Sequence, residues 1–130
     1  MRILLAEITG RADFREVVEK TLASSAETMN KTPYAMPWMM SVADMQLGQH
    51  SRLVITPGEG RAALIKAQFQ VYCPRLVCMG GHGQVDAWNS RLLAVDGKSA
   101  AYKSAAYYCM DETCQEAVDS AKSLIELLTN

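Results

Sequence analysis

The sequence predicts an α/β protein: an N-terminal helical hairpin packed on a small mixed sheet, with a βαβ unit and a C-terminal β-hairpin plus helix. Three observations predict it. Apolar residues recur at helical spacing through residues 1–48. Two short apolar runs, Leu53-Val54-Ile55-Thr56 and Leu76-Val77-Cys78-Met79, then flank one further helical pattern. Each run closes on glycine or Pro-Gly, the mark of a buried strand. The layout is therefore a helical segment over 1–48 and a small α/β unit over 49–130, with no Gly-, Ser- or Pro-rich linker between them, so one compact body is expected.

The elements follow in order. Ile3, Leu4, Leu5 and Ala6 read as the end of an apolar helix broken at Gly10. About seven residues is short of the ~12 that persist alone, so the chain is expected to begin inside an element of something longer. Asp13 and Glu16 form a D-x-x-E capping pattern for the next helix, with Phe14, Val17, Val18, Leu22 and Met29 on one face. Lys31-Thr32-Pro33 ends it. Pro37 suits the first turn of a third helix, where its missing N–H does no harm. Met36, Met39, Met40, Ala43 and Leu47 are its apolar face, and Gly48 stops it.

Leu53–Thr56 is the first strand. Ala62–Tyr72 is helical with Leu64, Ile65, Phe69 and Tyr72 inward, and Pro74 ends it by pushing Cys73 out of helical geometry. Leu76–Met79 is the second strand, parallel to the first with a right-handed crossover. Asp86 caps a short helix carrying Trp88, Leu92 and Leu93, and Asp96-Gly97 is a turn. Lys98-Ser99-Ala100-Ala101-Tyr102 is repeated at once as Lys103-Ser104-Ala105-Ala106-Tyr107, too short for a solenoid repeat. Tyr107–Cys109 and Cys114-Gln115 read as a hairpin with a four-residue loop, Met110–Thr113. Asp119 caps a last helix with Ala121, Leu124, Ile125 and Leu128 on one face.

Composition narrows the function classes. The chain has 130 residues, 13 Lys+Arg against 14 Asp+Glu and a formal net charge of -1, which speaks against nucleic acid or an anionic membrane as partner. With 49% hydrophobic and 21% charged residues it is too apolar to be disordered. The apolar runs fall far short of the ~20 residues of a membrane span, and no secretory signal is visible, so a reduced, cytoplasmic setting is expected.

Three features could bear chemistry. Gly58-Glu59-Gly60-Arg61-Ala62-Ala63 matches G-x-G-x-x-A between a strand and a helix, so Gly58, Gly60 and Ala63 are candidate cofactor-binding positions for a dinucleotide or another phosphorylated ligand. Glu59 puts negative charge there, and the second strand ends in Cys78-Met79-Gly80 without a carboxylate for a ribose; a tight structural turn is the plainer reading. Cys109 and Cys114 could face each other across the hairpin as a reduced structural pair, a redox-labile disulfide, or two ligands of a zinc site that Cys78 or His82 would complete. Cys73 and Cys78 have the same spacing but need not converge. His50 stands beside Ser51, but neither His50 nor His82 has a Ser or Cys in an activating motif, and no catalytic residue stands out. Met36, Trp38, Met39 and Met40 form an adaptable apolar stripe suited to an interface.

The order of features resembles the C-terminal end of a family that joins an N-terminal thioredoxin-like domain to an α/α-barrel of the six-hairpin glycosidase type, the spermatogenesis-associated protein family. Leu4–Gly10 with Phe14-Arg15-Glu16 is similar to its penultimate barrel helix and the following turn. Pro33–Met40 with Ala43-Asp44 is similar to its P-x-x-x-P-x-x-L stretch and A-x-D. Asp96-Gly97-Lys98, Tyr108-Cys109 and Thr113-Cys114-Gln115 are similar to its closing D-G-K, aromatic-x-C and C-Q signature. Ala117 stands where the family usually has proline, and the KSAAY duplication adds residues before the hairpin. The resemblance covers nearly the whole chain but only the last quarter or less of such a protein. It implies a non-catalytic structural or interaction domain without a resident cofactor, paired with the missing barrel or with a second copy as a homodimer. The alternatives are a small phosphorylated-ligand or nucleotide-binding protein using the Gly58–Ala63 turn, and a redox or zinc module on Cys109 and Cys114.

Overall fold

The computed structural model describes residues 2–49, 51–80, 103–110 and 113–129. The chain divides into two compact units, Met1–Gln49 and His50–Asn130. The expected Asp86 helix with Trp88, Leu92 and Leu93, the Asp96-Gly97 turn, the first KSAAY copy, and both histidines lie outside the described residues.

The first unit is helical: α1 (Arg2–Thr9), α2 (Ala12–Lys31), a single 3-10 turn (Pro33–Ala35) and α3 (Pro37–Leu47). Gly10 ends α1 in the left-handed region at φ 68°, its N–H donating to the Ala6 carbonyl at 2.8 Å. Only glycine takes that backbone without steric cost. The expected capping box is not formed. Arg11 is the N-cap residue and makes no side-chain cap bond, while Asp13 lies inside the first turn. Arg11 Nε and Nη2 instead donate to the two Asp13 carboxylate oxygens at 3.0 and 2.6 Å, and Lys20 Nζ donates to Glu16 at 2.6 Å. A two-bonded Arg–carboxylate pair outcompetes a cap, and Asp13 in the first turn still favours the helix dipole. Pro37 takes the first position of α3 and Gly48 its C-cap, as expected.

The second unit contains β1 (Ser51–Ile55), α4 (Arg61–Gln68), β2 (Leu76–Met79), β3 (Ala106–Met110), β4 (Thr113–Cys114) and α5 (Ala121–Thr129). The sheet order is β2-β1-β3-β4. β1 runs parallel to β2, with Leu53 opposite Cys78, and antiparallel to β3, with Leu53 opposite Tyr108. The βαβ unit and the α/β class are thus present. Leu53, Ile55, Ala106, Leu64, Ala67 and Leu124 form the core between one sheet face and the helices α4 and α5. The alternate residues Val54, Val77, Met79, Tyr107 and Cys109 are buried too, so this sheet is dry on both faces.

Three further expectations are corrected. α4 stops at Gln68, and Phe69 and Tyr72 are 78% and 89% exposed. Leu64 and Ala67 are buried and Gln68 and Val71 half-buried, so the inward stripe lies one residue out of phase with Ile65, Phe69 and Tyr72. Small Ala67 joins the core against the sheet, and the larger Phe69 and Tyr72 stay in solvent. The hairpin pairs Met110 with Thr113, leaving a two-residue connection instead of four. Ser120, not Asp119, caps α5: its hydroxyl accepts from the Ser123 N–H at 3.1 Å.

A hydrogen-bond knot continues the β1–β3 pairing. Thr56 N–H donates to the Ala105 carbonyl at 2.9 Å, Ala105 N–H donates to Thr56 Oγ1 at 2.9 Å, and Ser104 Oγ donates to the Thr56 carbonyl at 2.6 Å. Thr56 and Ser104 are both buried. Ser104→Ala should destabilise the fold by about 1–3 kcal/mol, because it strands a buried acceptor, and urea melts of the two proteins measure this.

Candidate functional site

In open α/β sheets, ligands bind beyond the carboxyl ends of parallel strands. Here that place is formed by the turn from β1 to α4 and the residue after β2. The turn is built by glycines. Gly58 has φ 146°, and Gly60, the N-cap of α4, has φ 87°. Gly80, beyond β2, lets two groups approach: a Cβ there would stand 3.1 Å from the Ile55 carbonyl oxygen and 3.2 Å from Arg61 Nη2. The Arg61 side chain therefore reaches from the start of α4 to the end of β2.

The candidate cofactor positions Gly58, Gly60 and Ala63 do come together in this turn. Their hydrogen bonds are structural. Ala63 and Leu64 N–H groups donate to the Gly60 carbonyl at 3.0 and 3.3 Å, and the Glu59 carbonyl accepts from Ser104 N–H at 3.0 Å. A pyrophosphate cradle needs the turn's amides turned toward a ligand. This turn is pinned to the Lys103–Ala105 segment, and Glu59 pairs with Lys103 as an isolated bridge.

Comparison with known proteins adds no ligand: no protein-family model, curated protein or solved structure matches the chain.

Cys109 and Cys114 stand opposite each other in the β3–β4 ladder and are joined as a disulfide, with Cα atoms 3.9 Å apart. Gln115 N–H donates to the Tyr108 carbonyl at 2.8 Å, which makes the adjoining cysteine pair a non-hydrogen-bonded one, where side chains lie closest. Of the readings left open by sequence, the structure takes the disulfide. Sulfurs bonded to each other offer no thiolate to zinc, and the described residues contain no group of three or more His, Cys, Asp or Glu placed for a metal. Closing so short a loop restricts the unfolded chain modestly, worth about 2 kcal/mol. Cys73 and Cys78 are not joined to each other and remain thiols. Cys73 Sγ lies 3.8 Å from the Leu128 carbonyl, tying the segment after α4 to the end of α5.

The interface candidates separate. Met36 and Met39 are half-buried, Met40 is exposed, and Trp38 is 84% exposed. Met39 faces inward, lining an open apolar groove of about 270 Å³ with Ile3, Val17, Val18, Leu22 and Val42. Leu47, expected on the apolar face, is 87% exposed. Sequence reasoning missed Glu7. It is buried, and its carboxylate accepts from Arg15 Nη2 at 2.6 Å, linking α1 to α2. The spacing of eight residues across a helix break gave no local signal for that pair.

Two predictions follow from this geometry. A Cβ at Gly60 would meet nothing within 4 Å, so the cost of substitution there is backbone alone. Gly60→Val should cost about 1–2 kcal/mol and Gly60→Asn less, in thermal melts, with no dinucleotide signal by calorimetry in either variant or the parent. Burial pushes the Cys78 thiol up, and the Arg61 guanidinium offsets part of this, although the residue lies at an exposed sheet edge. Less thiolate then exists at neutral pH. Iodoacetamide should label Cys78 more slowly than in urea-unfolded chain, the folded pH profile shifted to higher pH, which mass-mapped labelling at several pH values tests.

Proposed function

We propose that this chain is a non-catalytic structural and interaction domain that buries its helical unit against a protein partner. The observation behind this reading is α3. It is an apolar helix with no buried residue, and it presents Trp38, Met40 and Leu47 to solvent. Among the described residues of the first unit, those buried are Ile3, Ala6, Glu7 and Val18. A helical unit of this size with so small a core is marginal alone and gains most from a partner's apolar surface.

The resemblance to thioredoxin-fused α/α-barrel proteins supports a larger helical body as the native partner. Produced alone, the chain finds a second copy, in a two-fold dimer through the helical unit. A net charge of -1 supports a protein partner over nucleic acid. No helix among the described residues is long and apolar enough to cross a membrane. A cytoplasmic setting belongs to the same proposal.

Sedimentation tests this. The parent chain should form a dimer that resists salt, because the contact is apolar. Trp38→Glu with Leu47→Glu should yield a monomer with unchanged strand content, since both side chains are already in solvent and support nothing inside. A parent chain that stays monomeric at high concentration and binds no apolar dye would overturn the reading.

A further inference from the structure

The row of residues that crosses the sheet at Cys109 has an asymmetry that the interaction reading does not use. Val77, Arg52, Cys109 and Cys114 stand side by side on β2, β1, β3 and β4. Cys109 is 4% exposed, whereas Cys114 is half-buried on a two-residue strand at the sheet's outer edge. A thiolate cleaves a disulfide by attack in line with the S–S bond. Approach to Cys114 comes from beyond β4, the outermost strand of the described sheet. Approach to Cys109 would come across the row that Arg52 occupies.

The leaving side is as distinct as the attacked side. Arg52 is directly opposite Cys109 in the antiparallel ladder, so both side chains project to the same sheet face. A cation beside a sulfur favours its thiolate and works against the cost of burial, which makes it the better leaving group where the cation prevails. Cys109 is next to Arg52 in this row, whereas Cys114 stands one strand further out, with β3 between it and Arg52.

We propose that the Cys109–Cys114 bond is a thiol–disulfide exchange site, attacked at Cys114 Sγ by an external dithiol, with Cys109 as the leaving thiolate beside Arg52. In the first step the dithiol's thiolate forms a bond to Cys114 Sγ. The Cys109–Cys114 bond breaks, and its electron pair goes to Cys109 Sγ, which then takes a proton from water. In the second step the other thiol of the dithiol, as its thiolate, attacks the first, forming the dithiol's own disulfide and releasing Cys114 as a thiolate that is also protonated. Two electrons and two protons pass from the dithiol to this pair. Reduction removes the covalent tie between β3 and its two-residue neighbour. This inference does not depend on the interaction reading, and its failure would leave that reading standing.

The test uses the oxidised full chain without denaturant. It is exposed to reduced glutathione, quenched with acid, alkylated and mapped by mass spectrometry. Glutathione should be found on Cys114, with Cys109 alkylated, in about tenfold or greater excess over the reverse adduct. Dithiothreitol should then reduce the pair fully while the strand signal in circular dichroism persists. Arg52→Gln should slow formation of the Cys114 adduct several-fold, and Arg52→Lys should restore most of the rate. Glutathione on Cys109 as often as on Cys114, or a bond that opens only in denaturant, overturns the proposal. An unchanged rate in a folded Arg52→Gln protein overturns the part given to Arg52. Should that variant fail to fold, the adduct ratio in the parent chain still decides.

Discussion

Strand β1 is hydrogen-bonded along both edges, parallel to β2 on one side and antiparallel to β3 on the other. The rest of the second unit takes its position from that double pairing. A strand with every backbone donor and acceptor satisfied can be dry on both faces. Leu53 and Ile55 then pack against α4 and α5, while Val54 is buried on the reverse side. A slip of one residue would exchange the two faces, so burial on both sides of one short strand ties the register to the specific side chains on each face.

The same register determines what lies at the two ends of β1. At its carboxyl end, Thr56 extends the pairing to Ala105, and Ser104 holds both the Thr56 carbonyl and, through its N–H, the Glu59 carbonyl. The Gly58–Gly60 turn is thereby anchored to the neighbouring segment and acts as a joint between strand and helix. At its amino end, Arg52 falls opposite Cys109 and so enters the row that ends in the disulfide. One set of backbone bonds thus makes a structural turn at one end and a charged neighbour for sulfur at the other.

The helical unit lacks any comparable constraint. Its helices are joined by Gly10 and by the Pro33–Ala35 turn, and the pairing of buried Glu7 with exposed Arg15 links the first two. Ion pairs at Lys20–Glu16 and Lys31–Glu27 are exposed and add little, about 0.3–0.5 kcal/mol each. Little apolar surface is removed from water on α3, and the helix shows an indole and a leucine to solvent. Such a surface has a physical reason to associate that the well-packed α/β unit does not share.

By itself the sequence determined the elements whose signals are local. β2 lies at Leu76–Met79, α3 begins at Pro37 and ends before Gly48, and the Gly58–Gly60 segment is a tight turn between strand and helix, all readable from apolar runs, proline and glycine. The facing of Cys109 and Cys114 was legible too, because a hairpin sets its own pairing. Tertiary structure decided whatever depended on a partner distant in sequence. The second KSAAY copy contributes Ala106 and Tyr107 to β3, and Tyr108 and Cys109 continue the pairing with β1. Asp13 was drawn to Arg11 and away from capping, buried Glu7 was paired with Arg15 across a helix break, and Ala67 is buried while Phe69 is exposed. Propensity and period are properties of a few consecutive residues. Burial, charge pairing and sulfur asymmetry depend on which strands and helices become neighbours, and only the folded chain brings those together.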